Sequence, residues 1–96
     1  MDYKQIIFSG HAVRQMFHRG IRNEDILKVI RDGQVIVDYP DDKPYPSFLM
    51  LGFVNNRPIH VVFVLDKENQ IGIVITVYVP DPKLWTGDFK SRKNKQ

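Results

Sequence analysis

The chain has 96 residues, of which 43% are hydrophobic and 11% aromatic, and it contains no cysteine. This composition favours one folded domain with a single core, and the absence of cysteine excludes disulfides and thiolate metal sites. The formal net charge of +3 comes mainly from residues 83–96, because residues 1–82 alone carry a net charge of −1. The overall basicity is therefore weak support for nucleic-acid binding by the body of the protein.

The amino terminus and the hydropathy pattern give no sign of export or of a membrane anchor. Residues 1–5 lack the basic and apolar blocks of a signal peptide, and no apolar run reaches the ~20 residues that span a bilayer. We therefore expect a cytoplasmic protein without a membrane partner. A single domain is predicted over residues 1–90, followed by a disordered basic tail over residues 91–96.

Two amphipathic helices are predicted first along the chain. Ser9 is a favourable N-cap for the first helix and Gly20 is suited to end it, while the second helix runs from an N-cap at Asn23 to Gly33. Apolar residues at helical spacing predict the buried side of the first helix, which comprises Ala12, Val13, Met16 and Phe17. Both helices are too short to be stable alone, so they must pack against another element.

Four strands are predicted after the helices, at residues 34–39 and near residues 48–55, 58–66 and 70–79. A proline-rich loop over residues 39–46 follows the first strand, and Asn55-Asn56 is typical of a tight hairpin turn. The predicted fold class is α+β, with two N-terminal helices packed on a four-stranded, mainly antiparallel sheet in the order α-α-β-β-β-β. Three apolar residues beyond the last strand are expected to fold back as a clip: Leu84, Trp85 and Phe89.

A histidine in an apolar strand is the first candidate for chemistry. Alternation within residues 58–66 puts His60 on the less apolar face of the sheet. If residues 67–69 form a three-residue loop, His60 lies opposite Thr76, and Tyr78 is one diagonal step away. Imidazole titrates near neutral pH, so such a cluster could serve acid–base catalysis. The alternative is a structural histidine that is hydrogen-bonded across the sheet, and residue type alone favours that alternative.

The polar side of the first helix is the second candidate. His11 lies in the first turn, where the helix dipole disfavours its charged form and so suits a proton acceptor. Arg14 offers a planar guanidinium for bidentate bonds to phosphate, and Arg19 could extend that surface or belong only to the helix junction. The alternative is a solvated face with nothing bound. His11 and His18 are about 10 Å apart along the helix, too far to share an ion, so neither a metal nor a cofactor is expected.

The joint pattern of these residues resembles one known family over about residues 6–92. The pattern comprises Ser9-Gly-His11-Ala-x-Arg14, Arg19-Gly-Ile21, Asp38-Tyr39 before the proline-rich loop, His60-Val61, Thr76-x-Tyr78-x-Pro80-Asp81 and Trp85. The chain is similar to an uncharacterised bacterial domain-of-unknown-function family of toxin-like small proteins, which is related to the barnase–EndoU–colicin–RelE fold. The resemblance implies a RelE/barnase-like architecture.

The resemblance also implies a function, that of a toxin-like, metal-independent RNA endonuclease of a toxin–antitoxin pair. In that chemistry a base takes the 2′-hydroxyl proton, the oxygen attacks phosphorus, an acid protonates the leaving 5′-oxygen, and a cation stabilises the added charge. The implied catalytic residues are His11, His60 and Tyr78, and the implied phosphate- or substrate-binding residues are Arg14, Arg19 and Thr76. The implied partners are RNA, including ribosome-bound messenger RNA, and an antitoxin-like protein of the zinc-finger type.

Two departures from this pattern keep other functions open. The predicted strands carry no lysine or arginine apart from Arg57 in a turn, unlike the cationic sheets of RelE-like messenger-RNA interferases, and the body is slightly acidic. The alternative function is a non-catalytic interaction module that binds a partner protein or nucleic acid, and a hydrolase of another phosphate substrate is the third. A His60 sealed in the core, or on the opposite side of the sheet from His11, would favour the module.

Overall fold

The structure, a computed structural model, describes residues 3–93 and contains two helices and one five-stranded sheet within that range. The elements in chain order are β1 (Gln5–Phe8), α1 (Gly10–Arg19), α2 (Asn23–Asp32), β2 (Gln34–Tyr39), β3 (Ser47–Val54), β4 (Arg57–Asp66) and β5 (Ile71–Tyr78). The strands lie side by side in the order β1-β5-β4-β3-β2, and both helices pack on the same face of the sheet. The predicted α+β class is confirmed.

The number of strands, their pairing and the element order differ from the prediction. The predicted four-stranded, mainly antiparallel sheet in the order α-α-β-β-β-β is wrong, because β1 precedes the helices and completes a mixed sheet. β1 pairs in parallel with β5, so that Gln5 lies opposite Ile71 and Phe8 opposite Val74. A four-residue strand has little periodicity of its own, and its partner lies 66 positions further along the chain. Local sequence therefore does not reveal the pairing.

Side-chain oxygens hold the starts of both helices. The hydroxyl of Ser9 accepts a hydrogen bond from an amide in the first turn of α1 and donates one to the Ile75 carbonyl, so it also ties α1 to β5. Gly20 ends α1 in the left-handed region, with a φ of 64°. At α2 the cap lies one residue before the predicted position: Arg22 is the N-cap, and the buried carboxylate of Asp25 accepts a hydrogen bond from its amide.

The main core lies between the helices and one face of the sheet, called here the helix face. Its buried members are Ala12, Ile21, Ile26, Val29, Ile30, Met50, Ile59, Val61, Phe63, Val74 and Val77. Ala12 and Met16 form the inner side of α1, while Val13 and Phe17 are 51% and 87% exposed. The predicted apolar stripe of α1 is therefore only half right, because the helix is rotated to put its smallest apolar side chain, Ala12, against the sheet.

A longer turn and a β-bulge change the predicted pairing of β4 with β5. Residues 67–70 form a four-residue turn, one residue longer than predicted, and the bulge leaves Ile75 without a partner in β4. Each irregularity moves the register by one residue in the same direction, so His60 lies opposite Tyr78 instead of Thr76. Since two shifts restore the original parity, His60, Thr76 and Tyr78 remain on one face of the sheet, as predicted.

The same bulge exchanges the faces of the first half of β5. Gly72 and Val74 lie on the helix face, although the alternating pattern predicts that they share a face with Tyr78. The buried ring of Phe63 packs over Gly72, and a Cβ atom at that position would overlap the ring. Glycine is required there by the space available rather than by its backbone conformation.

The turn between β3 and β4 has the predicted conformation, and the described part of the tail is held against Trp85. Asn55 and Asn56 both have positive φ, 52° and 66°, as expected of the tight turn predicted between β3 and β4. Of the tail predicted at residues 91–96, the structure describes residues 91–93, where Arg92 forms a β-bridge with Trp85. Residues 94–96 lie outside the described part of the chain. Within residues 3–93, no helix has the length and apolar character needed to cross a membrane.

Candidate functional site

His60 lies on the sheet face away from the helices, called here the open face, and it is 0% exposed. Its Nε2 atom is 2.9 Å from the carbonyl oxygen of Phe89, and its Nδ1 atom is 3.1 Å from the hydroxyl oxygen of Tyr78. Because a carbonyl can only accept, Nε2 carries a proton, and Nδ1 of the neutral ring accepts a hydrogen bond from the Tyr78 hydroxyl. Both hydrogen-bonding positions of the imidazole are therefore occupied.

Burial keeps the ring of His60 neutral. Desolvation lowers the pKa of His60 below its usual value of 6.5, and the bond to the Phe89 carbonyl, which favours the protonated ring, offsets only part of that effect. Burial also raises the pKa of Tyr78 above its usual value of 10, against the opposing charge of Arg92. Both groups are uncharged at neutral pH, so the bond that joins them is one between neutral partners.

The chain that follows β5 forms a cover over His60. This cover, residues 80–93, is called here the clip. The indole of Trp85 meets the imidazole edge to face, with ring centroids 4.4 Å apart. A backbone hydrogen bond from the Thr86 amide to the Ser91 carbonyl helps to close the clip on itself. The predicted fold-back of the chain after the last strand is confirmed by these contacts.

Beside the clip, the open face holds a cavity of about 280 Å³. The residues that line it are Tyr39, Leu49, Val62, Tyr78, Trp85 and Arg92. The guanidinium of Arg92 lies over the ring of Trp85, with its central carbon 5.6 Å from the ring centroid. Tyr78 belongs both to this cavity and to the hydrogen bond with His60, so it separates the buried imidazole from the open space.

The clip carries more positive than negative charge. The charged residues of the clip are the exposed cations Lys83, Lys90, Arg92 and Lys93 and the two carboxylates Asp81 and Asp88. Both carboxylates are engaged inside the clip, where Asp81 accepts a hydrogen bond from the Lys83 amide and Asp88 accepts one from the Thr86 hydroxyl. The clip therefore carries four cations and two carboxylates, a net charge of +2, and Arg92 is the one of these charged residues that lines the cavity.

A family model described as Domain of unknown function (DUF4258) matches residues 8–79 of the chain. The chain belongs to this family. No curated protein and no solved structure matches the chain. The predicted membership of a domain-of-unknown-function family is confirmed, whereas the relation to toxin-like ribonucleases stays a prediction.

The segment that matches the DUF4258 family stops short of the clip. It contains all six predicted site residues: His11, Arg14, Arg19, His60, Thr76 and Tyr78. It ends at residue 79, before Trp85 and Arg92. The cover over His60 and the cation of the cavity therefore come from the part of this chain that lies beyond the match to the family.

Three of the six predicted site residues lie together on the open face. Tyr78 is hydrogen-bonded to His60, and Thr76 lies on the same face as both, opposite Val62 of β4. Thr76 is two residues from Tyr78 along β5, so its hydroxyl is at the same level of the sheet as Val62 rather than beside the imidazole.

The other three predicted site residues lie on the far side of the sheet. His11, Arg14 and Arg19 are exposed on α1, which packs on the helix face through Ala12. The predicted combination of His11 with His60 is therefore not assembled, because the sheet separates the two imidazoles.

Sequence reasoning assigned no site role to Tyr39, Phe89 or Arg92. Phe89 acts through its backbone carbonyl, which no side-chain pattern reports, and Tyr39 ends a strand that is distant in sequence from His60. The position of Arg92 on the open face could have been predicted from the sequence. Since the apolar Trp85 must find cover by folding back on the sheet, the cations that follow it are carried to the same surface.

The arrangement offers a ligand an aromatic surface and a guanidinium rather than an exposed acid–base pair. Stacking on the rings and bidentate bonds to Arg92 are the contacts that such a surface forms. Within residues 3–93, no three histidine, aspartate or glutamate side chains are arranged to hold a metal ion. The residues that line the cavity thus offer a ligand stacking and hydrogen-bond contacts.

Proposed function

We propose that this member of the DUF4258 family is a non-catalytic binding module that holds single-stranded RNA on the open face of its sheet. The observation that carries the proposal is the cavity in which three aromatic rings and the guanidinium of Arg92 line one space of about 280 Å³. Its volume is near the lower limit of ordinary ligand pockets, which suits one base with its phosphate. RNA is one of the two partners implied by the family resemblance.

The chemistry of the lining residues supports RNA over a folded protein as the ligand. An unpaired base stacks on an aromatic ring with a gain of about 1–3 kcal/mol, and the contact tolerates any base. Tyr39 is 48% exposed and therefore available for such stacking. Arg92 supplies a planar fork that matches a phosphate group, while Lys83, Lys90 and Lys93 are exposed cations of the same clip.

The distribution of charge predicts weak, salt-sensitive binding. Residues 1–82 carry a net charge of −1, so the cations that the proposed site offers to phosphate groups are those of the clip. For single strands, each phosphate contact contributes about −0.7 to the slope of log affinity against log salt. If all four cations of the clip contact phosphates, the slope is roughly −3, and fewer contacts give a shallower slope. The proposal places the protein in the cytoplasm, where ribosome-bound messenger RNA is a source of single strands.

The burial of His60 supports a module rather than an enzyme. A general acid or base must reach the substrate, whereas His60 is 0% exposed and has both nitrogens engaged. His11, the other catalytic candidate, lies on the opposite side of the sheet. The burial of His60 and its separation from His11 by the sheet both support the interaction module.

One contact favours a second candidate function, the RNA endonuclease. Tyr78 lines the cavity together with Arg92 and is hydrogen-bonded to His60 behind it. In this alternative the Tyr78 oxygen would take the 2′-hydroxyl proton while its own proton passes to Nδ1 of His60. The 2′-oxygen would attack phosphorus as the bond to the 5′-oxygen breaks, solvent water at the open cavity would protonate the departing 5′-oxygen, and Arg92 would stabilise the charge on phosphorus. Neither His11 nor Arg14 would take part.

A single preparation tests both candidates. A fluorescein-labelled, mixed-sequence 12-nucleotide RNA is titrated with protein in EDTA and followed by fluorescence anisotropy. We expect binding that Arg92→Gln and Tyr39→Ala each weaken at least fivefold. Arg19→Gln is the matched control, because it removes the same charge on the other side of the sheet. Equal affinities for all four proteins would overturn the proposed site.

The same samples, run on a denaturing gel, separate the module from the enzyme. The proposed module leaves the RNA intact after prolonged incubation. Cleavage to 2′,3′-cyclic phosphate ends that is abolished by Tyr78→Phe, in a variant that still binds RNA, would establish the endonuclease instead.

A further inference from the structure

The outward face of α1 exposes two apolar side chains one helical turn apart. Phe17 is 87% exposed and Val13 is 51% exposed. The ring of Phe17 makes an edge contact with the neighbouring imidazole of His18, at a centroid distance of 6.3 Å, and its remaining surface is open. Because a large apolar side chain in water has an unfavourable hydration free energy, this adjacent apolar pair would be stabilised by a partner that covers it.

We propose that this face of α1 is the docking surface for an acidic amphipathic helix of a partner protein. Val13 and Phe17, at i and i+4, match the spacing with which helices pack on one another. Arg14 lies beside this pair, with His11 and His18 on its other side. The proposal concerns a surface across the sheet from the RNA site and does not depend on that site.

The charges of α1 select an acidic partner. No aspartate or glutamate occurs in residues 10–19, which contain two arginines and two histidines. On α2, the carboxylate of Asp25 is buried and already accepts a hydrogen bond from the Arg22 amide. An approaching carboxylate therefore meets cations without a competing anion on the same helix.

The same charges argue against a second copy of this chain as the occupant. Two copies that met through this face would bring Arg14 of one close to Arg14 of the other, at a cost that a symmetric interface repeats. An RNA strand would need several cations along its path, whereas the centre of this face is apolar. A segment with leucines on one side and glutamates on its flanks satisfies both the apolar pair and the charge.

The probe for this surface is a labelled 16-residue peptide with leucine at i, i+3, i+4 and i+7 and glutamate at the other positions. We expect it to bind the full chain, and we expect Phe17→Ser and Arg14→Glu each to weaken binding at least tenfold. A peptide with every glutamate replaced by lysine should not bind. Leu27→Ser, which removes an exposed apolar side chain from α2, is the matched control and should bind as wild type does.

A loss of peptide binding in Phe17→Ser would not be caused by unfolding of the variant. Because Phe17 has so little buried surface, Phe17→Ser should keep the urea midpoint of the wild type. Failure of the acidic peptide to bind, or equal binding by wild type and Phe17→Ser, would overturn the proposal. Self-association of wild type in sedimentation runs that Phe17→Ser abolishes would assign the face to a second copy. Loss of RNA affinity in Phe17→Ser would assign it to RNA.

Discussion

The imidazole of His60 and the indole of Trp85 meet almost at right angles, at 88°, with ring centroids 4.4 Å apart. This contact joins the middle of β4 to the clip, which is otherwise held to the sheet at this point by the hydrogen bond from His60 Nε2 to the Phe89 carbonyl. A polar side chain thus organises a packed layer on the open face. Because few residues form this layer, a single substitution in it should change the free energy of unfolding measurably.

His60→Ala should destabilise the protein by roughly 3 kcal/mol. The substitution leaves a cavity below Trp85 and removes the partners of the Phe89 carbonyl and the Tyr78 hydroxyl. Urea unfolding followed by Trp85 fluorescence and by circular dichroism measures the loss. His11→Ala, at an exposed position, should stay within about 0.5 kcal/mol of wild type. Similar losses in the two variants would contradict the structural role of His60.

Stability should decrease as the pH falls through about 6.5, the usual pKa of histidine. The pKa of His60 is lowered in the folded state, so below 6.5 the unfolded chain takes up a proton that the folded chain refuses. The stability that His60 provides is complete above this pH and is lost on acidification. Urea midpoints at pH 7.5 and 5.5 measure the change.

His60→Gln provides the control for this acid sensitivity. The glutamine side chain does not titrate, so the variant should show a smaller change between pH 7.5 and 5.5 than wild type. His11→Gln should keep the wild-type dependence. A His60→Gln variant with undiminished acid sensitivity would show that the effect originates elsewhere.

Tyr78→Phe should cost about 1–2 kcal/mol, because the buried Nδ1 of His60 loses its hydrogen-bond donor. Tyr39→Phe removes the same hydroxyl from a half-exposed ring and should be nearly neutral. Thermal unfolding of the two variants side by side gives the comparison. A loss as large in Tyr39→Phe as in Tyr78→Phe would mean that the hydrogen bond to His60 is not the cause.

Gly72→Ala should be destabilising by about 3 kcal/mol, because the added methyl group overlaps the ring of Phe63 in the closed core. Gly87→Ala is the matched control, since nothing lies within 4 Å of a Cβ atom at that exposed position. The double variant Gly72→Ala/Phe63→Leu should be more stable than the sum of its parts predicts. Strict additivity would show that the ring and the methyl group do not compete for space.

Local patterns were sufficient for much of this fold. Ser9 and Gly20 bound α1, Asn55 and Asn56 form the turn between β3 and β4, and the need of Trp85 for cover predicts the clip. Each of these features depends on neighbours in sequence or on one apolar side chain. The alternation that puts His60 on the open face belongs to the same class.

The features that were missed depend on tertiary context. β1 is stable only through parallel pairing with β5, and the bulge at Ile75 has no signature in its own residue type. The rotation of α1 that exposes Phe17 follows from the fit of Ala12 against the sheet. The partner of His60 is a backbone carbonyl, that of Phe89, which has no side-chain signature at all. Periodicity within an element cannot report any of these relationships.

The pairing of β1 with β5 also has a consequence for synthesis on the ribosome. The first strand and α1 both find their place against residues 71–78, which are made much later. Until those residues have left the exit tunnel, the amino-terminal segment has no sheet on which to pack. Ala12 and Met16 then lack the surface that covers them in the folded protein. The domain must therefore fold after most of its translation is complete. Nascent chains arrested before residue 71 would remain available to chaperones. Chains of which residues up to 93 have left the exit tunnel could close the sheet.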